Sequence, residues 1–229
     1  TIDAEDGTRY VADAARQQVL VFDRNDRFIR VFGKKGQFKP NDVLIVGDRL
    51  YVSDLEHHQV HALNKLTGEV LFTIGEPGNG EGQFVHPASL ALAPDQTLWV
   101  VDSTNFRLQQ FSLDGEFLST VGSIGTSPGH FGRPKGLAID RDGVMYAGDA
   151  AYEHLQVMET SGQPLLIFGG PGYAPYNINL PTVLKIDYDN VKYFQKYAYP
   201  GFEIEYLVLV ANQFGPNKVT VFGFGSLDE

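Results

Sequence analysis

Four prolines, Pro40, Pro87, Pro134 and Pro181, stand 47 residues apart along the chain. A spacing held that strictly marks one structural unit used several times, because a core of unrelated elements has no reason to keep a period. The first three prolines are approached by a Gly-x-Phe run (GQFKP, GQFVHP, GHFGRP) and the fourth by NINLP. After each comes a short apolar run (VLIV, SLALA, GLAID, VLKID), then a polar turn and an apolar segment. In the second to fourth copies that segment carries Tyr51, Trp99 or Tyr146, and Tyr10 takes the same place in an incomplete first copy. An Asp follows each aromatic by three residues: Asp13, Asp54, Asp102 and Asp149. A third run (QVLVF, QVHAL, LQQF, LQVM) and a fourth ending in Gly (RFIRVFG, EVLFTIG, EFLSTVG, QPLLIFG) complete the copy.

Four short β-rich runs separated by turn residues describe a unit of four antiparallel strands and an all-β chain. Units of this size that hide their apolar faces against one another predict the blades of a β-propeller. Five copies are visible, at 1–33, 37–75, 84–122, 131–169 and 181–225, and they read as a single domain over 1–229. Thr1-Ile2-Asp3 aligns with Ala138-Ile139-Asp140, in the middle of an innermost strand, and nothing after KVTVFGFG supplies a fourth run to the last copy. We therefore expect a processed or truncated chain, with a sixth blade and a closing strand supplied upstream; a five-bladed ring is the alternative. In the last copy DNVKYFQKYAYPGFEI interrupts the pattern. Val191, Phe194 and Tyr197 share one helical face, Asp189 or Asn190 stands at the cap position, and Pro200-Gly201 is a stop, which predicts a short helix at about 190–199.

Composition narrows the chemistry. With 43% hydrophobic residues among 229, the chain buries a substantial core, and no apolar run approaches the ~20 residues of a membrane span. The absence of Cys excludes disulfides, thiolate zinc sites, iron–sulfur clusters, thioether-attached haem and Cys nucleophiles. A formal charge of −10 argues against general nucleic-acid binding. No G-x-S-x-G, H-E-x-x-H or Walker pattern is present, and the Gly-rich runs connect blades without opening a helix. The four Asp each end a strand before a tight turn, where a carboxylate accepts backbone N–H groups; with the four prolines they form a structural repeat. His57 and His58 fall in a turn and His61 in the following strand, and adjacent residues on extended chain point apart, so a solvated turn is expected rather than a metal site. His154 replaces Arg107 as a partner of the turn. The IDRDG and IDYDN turns carry too few oxygens for calcium. No catalytic residue, metal ligand or cofactor is assigned.

In a propeller, the blade connectors and the turns between second and third strands share one face. Acidic residues (among them Asp23, Asp48, Asp95, Asp114 and Asp142) fall on the opposite face, whereas Lys34, Lys35, Lys39, His86, Arg133 and Lys135 fall on the first. This predicts a basic to neutral patch at one channel mouth that receives a carboxylate-rich partner. Lys39, His86, Arg133 and Lys135, with Asn105, Phe106 and Tyr152 beside them, are the candidate binding residues.

The unit GxFxxPxGLAIDxDGxxYxxDxxxxxxQVxxxxGxxLxxFG resembles the NHL-repeat family of β-propellers; its clearest copies are GQFVHPASLALAPDQTLWVVDSTNFRLQQFSLDGEFLSTVG and GHFGRPKGLAIDRDGVMYAGDAAYEHLQVMETSGQPLLIFG. That family includes enzymes, sensor domains, RNA binders and protein-binding scaffolds, so the resemblance implies fold more than function. The tail IDYDNVKYFQKYAYPGFEIEYLVLVANQFGPNKVTVFGFG is similar to a subgroup of secreted bacterial members encoded beside multihaem c-type cytochromes. It implies a periplasmic or extracellular location, with lipid anchoring as one route, and a multihaem cytochrome or its assembly machinery as partner. The family's amidating lyases hold zinc with three His just after the blade proline. Asn41, Ala88, Lys135 and Thr182 stand there in this chain, and His86 precedes its proline with Lys39, Arg133 and Leu180 at the matching places. The expected function is a non-enzymatic, extracytoplasmic protein-binding scaffold; the alternative is a metal-dependent lyase or lactone hydrolase at the channel mouth.

Overall fold

The computed structural model describes residues 1–227, and its regular structure is almost wholly antiparallel strand, with one short α-helix. It divides into two compact units, Thr1–Ile124 and a second from Gly125 onward. The first unit begins with a three-stranded sheet, β1 (Arg9–Asp13), β2 (Gln18–Phe22) and β3 (Phe28–Phe32). Its innermost run is reduced to one bridge, Ile2 to Arg9. Two four-stranded meanders follow: β4 (Pro40–Val46), β5 (Arg49–Asp54), β6 (Gln59–Asn64) and β7 (Val70–Ile74), then β10 (Pro87–Leu92), β11 (Leu98–Asp102), β12 (Arg107–Phe111) and β13 (Phe117–Val121). The connector between them holds a two-residue parallel pair, β8 (Glu76–Pro77) and β9 (Gln83–Phe84), which the repeat did not announce.

The second unit holds a meander of β14 (Pro134–Ile139), β15 (Met145–Asp149), β16 (His154–Met158) and β17 (Pro164–Gly169). Its other sheet has three strands, β18 (Pro181–Asp187), β19 (Phe202–Asn212) and β20 (Val219–Leu227), with β20 at the edge. The insertion before β19 forms α1 (Val191–Phe194), continued by a 3-10 turn over Gln195–Tyr197. Asn190 stands at its N-cap but caps nothing; its side-chain amide donates to Asp187 Oδ2 instead (2.6 Å). Among the described residues no helix is long and apolar enough to cross a membrane.

Apolar alternation along each strand gives each sheet two faces, and neighbouring sheets interlock through them. In the first unit Tyr10, Val19 and Val21 meet Val43, Leu50 and Val52 of the second sheet. Tyr51, Val60 and Ile74 in turn meet Leu90, Leu98 and Phe111 of the third. In the second unit Tyr146, Leu155 and Val157 meet Leu184, Val208 and Val210. The repeated tyrosines also tie sheets by hydrogen bonds. Tyr10 donates its hydroxyl to the Lys65 carbonyl (3.0 Å) and Tyr51 to that of Leu113 (2.6 Å). A buried phenol needs such an acceptor.

The Gly-x-Phe runs explain themselves here. Phe38, Phe84 and Phe131 are fully buried plugs under the connectors. Gly33 and Gly75, each closing the fourth run of its copy, take φ of +85° and +79°, and a Cβ there would run into the Phe38 and Phe84 rings.

The repeated Asp fastens three segments at once. Asp149 Oδ1 accepts the Arg133 and Ala151 N–H groups (3.0 and 2.8 Å), and Oδ2 accepts that of Gly132 (2.6 Å). Asp54 Oδ1 accepts the Lys39 and Glu56 N–H groups (2.8 and 2.9 Å), and Asp102 Oδ1 that of Val85 (2.8 Å). Asn212 fills the place in the last sheet and accepts the Asn179 N–H (3.1 Å). Asp13, in the first sheet, accepts locally from Arg16. Removing a buried acceptor strands its donors without water. We expect Asp149→Ala to cost about 2–4 kcal/mol in urea denaturation. Asp149→Asn, with the acceptor that Asn212 already supplies, should cost less than half as much.

Candidate functional site

In the first unit the clamp on the Lys39 N–H leaves the Lys39 side chain exposed beside two histidines from different sheets. His58 lies in the turn between β5 and β6 at φ 56°, a left-handed position shared by Gln17, Phe106 and Glu153 in the other copies. Its Nδ1 accepts the His86 N–H (3.0 Å), and the two rings meet edge-on with centroids 4.8 Å apart. His86 Nδ1 lies 3.0 Å from the Thr104 hydroxyl. Burial, then the charges of His58 and Lys39, lower the His86 pKa below the ordinary imidazole value. Among the described residues no carboxylate forms an ion pair with Lys39, His58 or His86. Asn105 is spent on the fold, donating to the Gly78 carbonyl (2.9 Å) and to Asp102 (2.8 Å), and Phe106 is half-buried in the same turn.

His57 and His61 have a different task. Both reach Asp54 Oδ2, at 2.7 and 2.9 Å. Burial pushes the Asp54 carboxyl up, but the hydrogen bonds from His61, from the Lys39 and Glu56 N–H groups and from His57 outweigh it and hold the group well below the usual carboxylate range. An ionised carboxylate only accepts, so His61 carries its proton on Nε2 and leaves Nδ1 buried without a partner. Gln109 and Gln156 occupy the same register in β12 and β16. Each accepts a glycine N–H from the connector (Gly82, 3.0 Å; Gly129, 2.8 Å) and donates to a connector carbonyl (Gln83, 2.7 Å; His130, 2.6 Å).

In the second unit Arg133 is exposed, its N–H clamped by Asp149, and Lys135 is half-buried at the start of β14. Burial first, and the Arg133 charge second, lower the Lys135 ammonium pKa below the ordinary lysine value. Neither cation has an ion-pair partner among the described residues. Tyr152 donates to the Gly125 carbonyl (3.1 Å) and lays its ring beside His154 (5.7 Å). His154 does not reproduce the Arg107–Asp102 pair (2.9 Å); its Nε2 is buried without a partner, and burial lowers its pKa.

One polar group escaped sequence reasoning. Asp42, in β4, accepts the Val43 N–H at Oδ1 (2.8 Å) and the Ser89 hydroxyl and Leu90 N–H at Oδ2 (3.0 and 2.9 Å). Asn41 beside it donates to the Ala88 carbonyl (2.7 Å). Burial raises the Asp42 pKa, and no cation pairs with it among the described residues. The available signal was Asn-Asp after Pro40, where the other copies place Ala-Ser, Lys-Gly and Thr-Val. Among the described residues no group of three or more His, Asp or Glu lies close enough together to hold a metal ion.

Known proteins place this geometry. Residues 38–121 match a domain family described as a 6-bladed beta-propeller. The probable peptidyl-α-hydroxyglycine α-amidating lyase of Caenorhabditis elegans is 28% identical over 98 residues, covering 41% of this chain and 28% of that protein. Virginiamycin B lyase from Staphylococcus aureus superposes with a TM-score of 0.66 at 13% identity, over 100% of this chain and 69% of the lyase. A gluconolactonase from Xanthomonas campestris gives 0.64 at 18% identity, over 92% of this chain and 67% of that enzyme. At such identities the structural likeness establishes the fold: the chain is built as a β-propeller. It spans little more than a quarter of the length of its curated relative.

His86 and His154 both have pKa values below the ordinary imidazole value of 6.5. The unfolded chain therefore binds protons first as pH falls through about 6.5, and their contribution to stability, full above that value, declines below it. We expect the urea midpoint to fall between pH 7.5 and 5.5, and the His86→Gln, His154→Gln double variant to flatten that slope.

Proposed function

We propose that this chain is a non-enzymatic binding module whose basic loop residues receive a carboxylate-rich protein partner. The observation that carries the reading is Lys135, a half-buried ammonium beside Arg133 with no ion-pair partner among the described residues. A lysine partly removed from water next to a second cation is electrostatically unsatisfied, and an incoming carboxylate relieves both charges. Lys39 and His86 offer the same character in the first unit. The resemblance to secreted NHL proteins motivates an extracytoplasmic site of action and a multihaem cytochrome as one candidate partner. Fluorescence anisotropy with labelled hexaglutamate tests the binding reading. We expect saturable binding that weakens between 50 and 300 mM salt, in the direction of charge screening (~14 to ~6 Å Debye length). The Arg133→Glu, Lys135→Glu variant should bind about 10-fold or more weakly. Equal affinity in wild type and variant would remove the reading.

A second reading has an observation of its own. Asp42 is a carboxyl whose pKa is raised by burial, placed against the Ser89 hydroxyl on innermost strands, and the similar proteins are lyases and a lactonase. A carboxyl of that kind serves as a proton donor or acceptor when a lactone or leaving group is placed against it. Turnover of aldonolactones that disappears in Asp42→Asn, in a protein that keeps its denaturation midpoint, would favour the enzyme over the scaffold.

A further inference from the structure

The helical insertion closes over one face of the last sheet and leaves a pocket of about 340 Å³ between them. Phe194, Tyr197 and Tyr199 from the insertion face Ile204 and Leu207 of β19 and Val221 of β20. The walls are pinned. The Gln195 side chain donates to the Phe202 carbonyl (2.7 Å) and accepts the Ile204 N–H (2.9 Å), fixing the insertion to β19. Ile204 and Leu207 form a buried floor. Gly223 keeps it low, because a Cβ there would lie 3.1 Å from Ile204 Cδ1. At the mouth, Tyr197 and Tyr199 are 74% and 78% exposed. The Lys196 ammonium stands 4.9 Å over the Tyr197 ring, and no carboxylate forms an ion pair with it among the described residues.

We propose that this pocket binds a small aromatic carboxylate, its ring seated among Phe194, Tyr197 and Tyr199 and its charge on Lys196. The volume is at the lower end of the range for small-molecule pockets, which suits one or two fused rings. Aromatic walls favour a flat ring through stacked and edge contacts. A cation held over the ring of the lining residue Tyr197, with an apolar floor in the pocket, selects an anion with an apolar body over a neutral or a cationic one. The site shares no residue with the basic loops, and the probe that tests it is distinct from hexaglutamate, so the two proposals fail independently.

Isothermal titration of the purified protein with naphthalene-2-carboxylate is the test. One-to-one saturable binding is expected, about 3- to 5-fold weaker for the neutral 2-naphthylmethanol and for Lys196→Gln with the acid. The Tyr197→Ala, Tyr199→Ala variant alters exposed side chains, so folding is preserved, and should lose about 10-fold in affinity. Gly223→Val, if its near-UV circular dichroism is native, should lose binding by filling the floor. No saturable binding to the intact protein would overturn the proposal, as would an affinity unchanged in the tyrosine variant. Decanoate binding as tightly as the naphthoate would overturn the aromatic assignment.

Discussion

A carboxylate at the end of the second strand of a sheet, reaching back to the connector before that sheet's own proline, is the interaction on which the rest of this structure depends. It takes N–H groups from two loops that would otherwise leave them unpaired beside the core, and so fixes where one copy ends and the next begins. Asp54, Asp102 and Asp149 do this with a carboxyl group and Asn212 with an amide. The same contact decides which side chains reach the loop surface. Two of the clamped N–H groups belong to Lys39 and Arg133, so the fastening that holds the fold also sets out the cations.

The fold was legible because packing imposes the period. Sheets that bury their faces against one another must repeat their alternation, their plug and their turn residues at one spacing, and these were visible as Phe38, Phe84 and Phe131 and the Asp and Tyr series. The site was less legible because its contacts run between copies. His58 meets His86 at an offset of 28 residues that the 47-residue period does not encode, and Asp42 meets Ser89 one full period on, where the repeat aligns the positions but not the residue types. His58 belonged to a turn expected to be solvated; it is half-buried because its ring becomes the acceptor for the next connector. The role of Gln109 and Gln156 was hidden for a simpler reason: their partners are connector backbone atoms, invisible in side-chain patterns. The insertion read correctly as a short helix, yet its cap did not, since the Asn190 side chain turns to Asp187, where its NH2 donates to a carboxylate in a stronger bond than its oxygen would accept from a helix N–H.

Sharing a fold with lyases and a lactonase assigns no chemistry, because function resides in the side chains a fold carries. Among the groups without an ion pair are cations, Lys135 with Arg133 in one unit and Lys39 with His86 in the other, and the buried carboxyl of Asp42. Five of the 18 Lys and Arg pair with carboxylates among the described residues, as when Lys65 meets Asp3 and Glu5 at 3.1 Å each. What sets Lys135 apart is its partial burial beside Arg133. Under the proposed reading Lys135 serves an outside partner and Lys65 serves the fold.

That distinction is open to direct measurement. Lysine-selective NMR titration of the protein reports the ammonium of Lys135 itself, with Lys135→Gln providing the assignment. The account requires Lys135 to titrate below the ordinary lysine range in the free protein and to move upward when hexaglutamate is added. A Lys135 that titrates in the ordinary range and ignores the acidic peptide would contradict it.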